Sequence, residues 1–453
     1  MAFTDIYVDP SKQTRTAVTI TNSTTTATVT QNGHGYSNSD TVKIQGATED
    51  AYNGNFTISN VTTNTYDYTM GSDPLGSATG SPLASKLNLS GDDGTTSALA
   101  WADLQYALDQ TTRDATNGDR FNVKAGTAEV LTAALDMTTY GSAAYDAPVL
   151  IQGYTSAAGD GGKGEIDGNA TYSVFANTTY ENIYFIDMKM GNCGSASHVL
   201  GPDRFCGVYS CEIHGCTGDG ISATNGSVHV VGCHIHDIGA SGFYAASGSH
   251  STVTNCYFKN GTTNQFTYAI RQNTAVQDTN AIGNIFSLDS SSIGFYSNSW
   301  GLGCVIGNSF YTTGTGSGIS AYGLGSGPVI NNLFEGFTDG IKRTSTQTTW
   351  KAFGIVRQNA FYDCTSNINT DTDVFLADDN ESLVSSPFAK TGSLPTDFTS
   401  ATFWDDVYAY FAPVDIGNVY TGFPAGANQT KGAVGQPVGG GGGTYSLHPL
   451  AYN

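Results

Sequence analysis

The chain has 453 residues, 39% of them hydrophobic, which is enough to bury a core and to form two or three domains. Its 39 acidic residues outnumber the 18 basic ones, and the formal net charge of -21 argues against nucleic acid or an anionic membrane surface as a partner. No apolar run approaches the roughly 20 residues that cross a bilayer, so we expect no membrane insertion.

The first expected elements are a strand at 3–8 and a small antiparallel β-module at 16–82. The module is indicated by an Asn53-Gly54 turn signal and by five short runs that alternate between apolar and polar residues, at 17–20, 26–29, 41–44, 56–58 and 66–68. The Gly-, Ser- and Pro-rich stretch 71–82 predicts a linker.

One helix is predicted, at 98–110. Trp101, Leu104 and Leu108 share one face at helical spacing, and Ser97 is a suitable N-cap. Strands are expected soon after it, at 121–126, 149–153 and 182–186. Because a stack of parallel strands exposes open edges and an apolar cross-section at its end, the helix fits the role of a cap.

A repeated phrase dominates the stretch 208–361. The phrase consists of three residues: Cys or Asn, any residue, and Phe or Ile. It recurs at intervals of 22 to 28 residues, and its first residues are Cys211, Cys233, Cys256, Asn284, Asn308, Asn332 and Asn359. A small residue followed by Ile or Phe trails each of the first six phrases, at 220, 242, 269, 294, 318 and 340. Two short strands per period of this length predict a solenoid of stacked coils.

Two stretches carry a resemblance to known families. The run Asp92-Asp93-Gly94, followed by 100–108 and 123–127, is similar to the start of right-handed parallel β-helix proteins of the pectate-lyase-like superfamily, and the repeated phrases resemble the same superfamily. This resemblance covers roughly 90–420. Residues 33–61 resemble a small β-barrel module of tailed-phage structural proteins.

The resemblance implies an all-β fold: a right-handed parallel β-helix solenoid with an N-terminal cap helix and a small antiparallel β-domain. Its expected divisions are the first β-helix strand at 1–15, the inserted module at 16–82, the β-helix at 83–390 with its cap helix at 98–110, a closing coil and C-terminal segment at 391–437, and a Gly-rich linker with a terminal attachment peptide at 438–453.

The repeat has an inward and an outward column. Cys211, Cys233 and Cys256 share the inward phase, which predicts a buried ladder of reduced thiols; a disulfide is geometrically conceivable, but no signal indicates an oxidising compartment. The outward residue of each phrase becomes apolar in later coils, which predicts a lateral interface as in a homotrimer. The interface candidates are Ile285, Leu333 and Ala360, together with Leu447, Leu450 and Tyr452 of the terminal peptide.

Histidines and carboxylates form the best candidate for chemistry. His214 and His236 each follow a ladder cysteine by three residues, and Asp237 comes next, so these groups should stack and could act as acid and base or bind a metal. The competing interpretation, surface turn residues without catalytic function, is favoured because no ligand set of fixed spacing is present. We therefore assign no catalytic residue and expect no metal or cofactor.

Aromatic residues within the repeat could instead form a platform for sugar rings; they are Tyr244, Tyr257, Tyr268, Phe295, Tyr296, Trp300, Tyr311 and Tyr322. Basic residues are scarce, and those nearest the repeat phases are Arg271, Lys342 and Arg343.

The favoured function is that of a structural protein of a tailed-phage virion, such as a capsid decoration or spike-like subunit. Residues 1–5 lack the features of a secretory signal, and a virion protein assembled in host cytoplasm needs none. Its expected partners are copies of itself in a trimer, other virion proteins through the N-terminal module and C-terminal peptide, and a host-surface glycan. The alternative is a polysaccharide lyase or hydrolase, either a phage depolymerase or a secreted bacterial enzyme.

Overall fold

A computed structural model describes residues 3–138, 140, 147–176, 181–202, 205–224, 226–247, 250–275, 278–289, 291–298, 303–321, 327–343, 353–369, 374–378, 380–383, 385–395, 400 and 402–411. Within these ranges the chain is a parallel β-helix with a small antiparallel domain, which confirms the predicted fold class. No helix in the described ranges has the length and apolar character needed to cross a bilayer. The predicted interface residues Leu447, Leu450 and Tyr452 and the pentaglycine at 439–443 lie outside the described residues.

Three parallel sheets form the solenoid. Sheet I contains β1 Thr4–Val8, β9 Asp119–Lys124, β11 Val149–Tyr154, β13 Ile183–Ile186, β16 Cys206–Tyr209, β19 Val228–Val231, β22 His250–Thr254, β25 Asp278–Ile282, β28 Val305–Ile306, β31 Pro328–Ile330, β34 Phe353–Arg357 and β37 Val374–Asp378. Sheet II contains β10 Glu129–Val130, β12 Gly164–Asp167, β14 Met188–Gly191, β17 Glu212–Cys216, β20 His234–Ile238, β23 Tyr257–Lys259, β26 Ile285–Leu288, β29 Ser309–Thr312, β32 Leu333–Glu335, β35 Ala360–Tyr362 and β38 Glu381–Ser382. Sheet III contains β15 His198–Leu200, β18 Asp219–Ala223, β21 Ser241–Ser247, β24 Tyr268–Ala275, β27 Ile293–Ser297, β30 Ser317–Ala321, β33 Asp339–Arg343 and β36 Ser366–Ile368.

The small antiparallel domain interrupts sheet I in sequence, because β1 pairs in parallel with β9. Its seven strands form two sheets and are β2 Thr16–Ala17, β3 Thr19–Ser23, β4 Thr26–Thr30, β5 Thr41–Ala47, β6 Gly54–Thr57, β7 Thr65–Thr69 and β8 Gly80–Lys86. Two short 3-10 turns lie at Pro10–Lys12 and Asp50–Tyr52. The predicted linker at 71–82 is wrong at its end, since β8 begins at Gly80 and pairs with both β2 and β5.

Each coil turns from sheet I into sheet II through one residue in the left-handed region. These residues have φ between 52° and 67° and are Ser210, Gly232, Asn255, Gly283, Gly307, Asn331 and Gln358. Each directly precedes a Cys or Asn of the repeated phrase, so the turn conformation explains why Gly and Asn are common at that position.

The inward column that follows this turn is a continuous hydrogen-bonded ladder. The Cys211 backbone N–H donates to Cys233 Sγ at 3.4 Å, and the Asn284 backbone N–H donates to Asn308 Oδ1 at 2.8 Å. In each successive coil the asparagine Nδ2 also donates to the next asparagine and to a carbonyl of sheet I. The cysteine ladder is buried as expected, all eight cysteines are free thiols, and the asparagine ladder continues one coil beyond the sequence prediction, to Asn380.

A stack of phenylalanine rings runs beside the ladder. The rings of Phe286 and Phe310 lie 4.5 Å apart with planes 5° apart, and the stack extends from Phe258 to Phe361. The glycine of the second phrase faces these rings: a Cβ on Gly318 would lie 2.5 Å from Phe334 Cδ1. Glycine is therefore needed in the second phrase because sheet III approaches the phenylalanine stack too closely for a Cβ.

The helix near the start of the solenoid is shorter than predicted. Helix α1 spans Leu104–Gln110, and its N-cap is Asp103, whose carboxylate accepts from the Tyr106 N–H at 2.7 Å. The predicted start at 98 and the N-cap Ser97 are wrong because Trp101 is extended and exchanges backbone hydrogen bonds with Tyr7 and Asp9 of the first coil. The buried face of α1 joins the solenoid core; its role as a cap stays a prediction.

A second helix, α2 Phe403–Tyr410, lies on the outer face of sheet II. Together with Phe388 and Phe411 it covers the apolar outward column of the later coils, where Ile285 is 1% exposed and Leu333 and Ala360 are fully buried. Assigning these three residues to a lateral interface was therefore wrong, because the chain buries them against its own C-terminal segment. Within the predicted closing coil and C-terminal segment at 391–437, Leu394 and residues of 403–411 pack on this same face. Residues 396–399, 401 and 412–437 lie outside the described residues, so the closing coil stays a prediction.

A buried ion cluster joins the small domain to the solenoid. Lys43 of β5 donates to Asp103 Oδ2 at 2.6 Å and to Glu129 Oε1 at 2.5 Å, and all three side chains are at most 3% exposed. Asn55 also donates to Asp103. Because an isolated buried charge is costly, these contacts hold β5 in a defined position against the first coils.

Candidate functional site

Two adjacent strands of sheet II bring histidines and a carboxylate to one outer face. Ile213 and Ile235 point into the core, so the residues on either side of them point outward. This alternation places Glu212 in register with His234 and His214 in register with His236. The sequence prediction thus found the stacked pair His214 and His236.

His236 lies between two carboxylates. Its Nε2 is 3.0 Å from Glu212 Oε1, and its Nδ1 is 3.1 Å from Asp237 Oδ2. Asp237 has a φ of 53°, and its carboxylate occupies the space above Gly261, where a Cβ would lie 1.6 Å from Oδ1. Gly261 is therefore required for the position of the Asp237 carboxylate.

Ring stacking fixes the other histidines. His234 stacks on His236 with centroids 4.3 Å apart and on Tyr257 at 5.2 Å, and Phe403 of α2 lies 4.8 Å from it. His214 stacks on His236 at 5.4 Å and also lies against the backbone of Gly191, where a Cβ would come within 2.7 Å of the ring.

The three histidines of the cluster differ in the direction in which their pKa is shifted. Burial opposes the charged form of His236, but its hydrogen bonds to Asp237 and Glu212 outweigh burial and raise its pKa. Burial lowers the pKa of His214 to about 4 and holds the pKa of His234 well below its ordinary value. Glu212 keeps a lowered pKa despite burial, because His236 donates to it. At neutral pH the cluster therefore contains two neutral imidazoles beside a hydrogen-bonded His236 and two carboxylates.

Other residues close in sequence do not join this cluster. His229 is exposed on sheet I. Asp219, at the start of β18 in sheet III, accepts from the Ser241 N–H at the start of β21. Glu212 and His234 lie close to His214 and His236 in sequence, but the sequence analysis did not predict that Glu212 pairs with His236 across the coils. It also missed Phe403, because no local signal connects residue 403 to coils some 170 residues earlier.

Access to the cluster is limited. His234 is 1% exposed and Glu212 is 5% exposed, whereas the His236 side chain is 16% exposed. A polymer chain needs an open groove to reach both a general acid and a general base. The observed burial suits a small ligand or an ion better than a polysaccharide.

Sheet III carries a second candidate surface, which we call the tyrosine–arginine face: Tyr244, Tyr268, Arg271 and Tyr296. Tyr244, Arg271 and Tyr296 are in register on three successive coils. The Arg271 guanidinium lies 4.8 Å from the Tyr244 ring centre and 5.3 Å from that of Tyr268, and the rings of Tyr268 and Tyr296 are 4.6 Å apart. All four side chains are half-buried.

The remaining aromatic candidates are placed elsewhere. Tyr257 and Tyr311 lie under the C-terminal segment, and Phe295 points into the core. Trp300 and Tyr322 fall outside the described residues.

The family model described as the right handed beta helix region matches residues 194–349. Among solved structures, a pectate lyase, Pel9A, is 13% identical with a TM-score of 0.41, covering 77% of this chain and 94% of that one. The catalytic unit of a GH87 alpha-1,3-glucanase from Streptomyces thermodiastaticus is 12% identical with a TM-score of 0.29, covering 81% and 88%. The tailspike protein gp49 from Pseudomonas phage LKA1 is 10% identical with a TM-score of 0.18, covering 83% and 62%. No curated protein matches the chain significantly.

Proposed function

We propose that the protein is a non-enzymatic rod that binds a glycan through the tyrosine–arginine face. The observation that carries this proposal is the register of Tyr244, Arg271 and Tyr296 on successive coils of sheet III. Coils in such a stack repeat about every 4.8 Å, so these side chains form a rigid row along the rod.

The chemistry of the row suits sugar rings. Aromatic faces stack on the apolar faces of sugars, and a guanidinium donates several hydrogen bonds in one plane. Asn273, on the same outward side as Arg271, donates from Nδ2 to the Tyr244 hydroxyl at 2.9 Å and orients that ring. Since the row is held by the solenoid backbone, binding costs little conformational entropy.

A glycan microarray tests this proposal. We expect the wild-type protein to retain a defined set of glycans and the Arg271→Ala and Tyr296→Ala variants to lose at least tenfold in affinity. Tyr209→Ala is the matched control, because Tyr209 stacks on Tyr184 on sheet I, away from the tyrosine–arginine face. Equal retention by all four proteins would contradict the proposed surface.

The location of the rod is proposed to be the virion of a tailed phage, assembled in host cytoplasm, with the small antiparallel domain and the terminal peptide as attachment elements. The support for this location is the resemblance of residues 33–61 to a module of phage structural proteins. Mass spectrometry of purified particles tests it. Absence of the chain from particles, together with its recovery from culture medium, would favour the secreted alternative.

A polysaccharide lyase or hydrolase is the second candidate, favoured by the Glu212, His236 and Asp237 chain of hydrogen bonds. Such an enzyme would release unsaturated products or reducing ends from a polymer, and His236→Ala would abolish the release. The burial of Glu212 is the reason that we place this candidate second.

A further inference from the structure

We propose that Glu212, His234 and His236 form a binding site for a divalent transition-metal ion of the zinc type. One ligand atom from each of these residues lies within 4.8 Å of the other two. In a tetrahedral zinc site with bonds of 2.0–2.1 Å, neighbouring ligand atoms are about 3.3 Å apart. Glu212 Oε1 and His236 Nε2 are already 3.0 Å apart. The His234 ring, which stacks on that of His236 with planes 25° apart, has to turn so that one of its nitrogens points at the same ion.

The second observation is the carboxylate that contacts the other ring nitrogen of His236. Asp237 lies on Nδ1 at 3.1 Å, which leaves Nε2 directed toward Glu212. Histidine ligands of metals usually donate their other ring N–H to a carboxylate in this way, because the contact fixes both the tautomer and the orientation of the ring. The position of Asp237 is itself secured by Gly261, which leaves room for the carboxylate.

The surroundings are also compatible with an ion. Tyr257 and Phe403 pack against the His234 ring, while the His236 side chain is 16% exposed, so that an ion can reach it from solvent. The nearest cations on the flanking coils have partners of their own, since Lys189 pairs with Glu165 at 3.5 Å and Lys259 donates to the Pro395 carbonyl at 3.3 Å.

The ligand set selects the class of metal. Two imidazoles and one carboxylate match zinc and its neighbours in the transition series, whereas calcium and magnesium prefer sites made only of oxygen ligands. An ion there would join β17 to β20 directly beneath α2. This proposal is independent of glycan binding, because it uses a different sheet.

Isothermal titration of the metal-stripped, tag-free full chain with Zn²⁺ tests the site, with Co²⁺ absorption as a second readout. We expect one equivalent of Zn²⁺ and the visible absorption bands of four-coordinate Co²⁺. Glu212→Gln and His236→Gln should each remove this binding, and Asp237→Asn should weaken it 10- to 100-fold while the absorption bands persist. His229→Gln is the matched control and should bind like the wild type, because His229 is exposed on sheet I.

Thermal unfolding of each metal-free variant keeps the test interpretable, because it shows which variants are folded. Zn²⁺ should raise the unfolding temperature of the wild-type protein and of His229→Gln, but not that of Glu212→Gln. Zinc binding that persists unchanged in folded Glu212→Gln and His236→Gln, or no binding by the wild-type protein, would overturn the proposal.

Discussion

Glu129 is a buried carboxylate whose environment works against its ionised form. Burial and the neighbouring Asp103 carboxylate raise its pKa to about 8 from an ordinary value of 4.5, and Lys43 offsets only part of this shift. Between these two pH values the folded protein holds a proton on Glu129 that the unfolded chain has released. The free energy of unfolding should therefore fall as pH rises through this window, by at most about 1.4 kcal/mol per pH unit.

Replacing Glu129 with Gln tests this account, because the amide resembles the protonated acid and can donate to Asp103. Urea unfolding at several pH values should show a smaller pH dependence between pH 4.5 and 8 in Glu129→Gln than in the wild type. Asp103→Asn is the contrasting variant; it removes the charge that Lys43 needs and should destabilise the protein across the whole range. An unchanged pH dependence in Glu129→Gln would assign the proton to another group.

Residue-scale prediction from the sequence was uneven for physical reasons. His214 and His236 were found because both follow the ladder cysteines at the same spacing, and a parallel stack preserves spacing. The Glu212–His236 pair joins residues of different columns on adjacent coils, so its formation depends on side-chain rotamers that spacing does not determine.

At the scale of elements, the repeated phrase encodes more than strand positions. Gly or Asn before the phrase adopts the left-handed conformation that the turn requires. The Cys or Asn ladder satisfies buried backbone N–H groups, and the Phe stack fills the interior of the coil. The strands could be predicted because these requirements recur in every coil. The start of α1 could not, since Trp101 pairs with the first strand across an inserted domain.

Gly318→Ala tests the packing of sheet III against the phenylalanine stack. The new methyl group would meet Phe334 and the Gly340 carbonyl, so we expect a loss of about 1–3 kcal/mol in the free energy of unfolding measured with urea. Gly71→Ala is the matched control, because no atom lies within 4 Å of its added Cβ and the substitution should be neutral or slightly stabilising. Equal effects of the two substitutions would show that the stack tolerates the methyl group.

Among the described residues, two different apolar columns lie on the outer side of the rod. The column on sheet II was predicted as a trimer interface, but α2 and neighbouring residues cover it. A second column on sheet I remains partly exposed in the described residues; it contains Ile186, Val231, Ile282, Ile306 and Ile330. The sequence revealed that an apolar column exists but not which one the C-terminal segment covers, because that segment lies far away along the chain.

The homotrimer remains a prediction, and we propose the exposed column of sheet I as its interface. Copies related by an axis along the rod would present the same column to one another, and burying it would remove exposed isoleucines from water. Sedimentation velocity should give a trimer for the wild type and a smaller species for Ile282→Asp combined with Ile306→Asp. A wild-type monomer at micromolar concentration would contradict the prediction.

We propose that the rod binds a glycan on the tyrosine–arginine face without cleaving it. The most direct measurement is the equilibrium binding of a glycan selected on the array. The bound glycan is then recovered, and its mass is determined by mass spectrometry. We predict saturable binding that is at least tenfold weaker in Arg271→Ala, with the recovered glycan intact. Shortened or unsaturated products, or binding unaffected by Arg271→Ala, would contradict the claim.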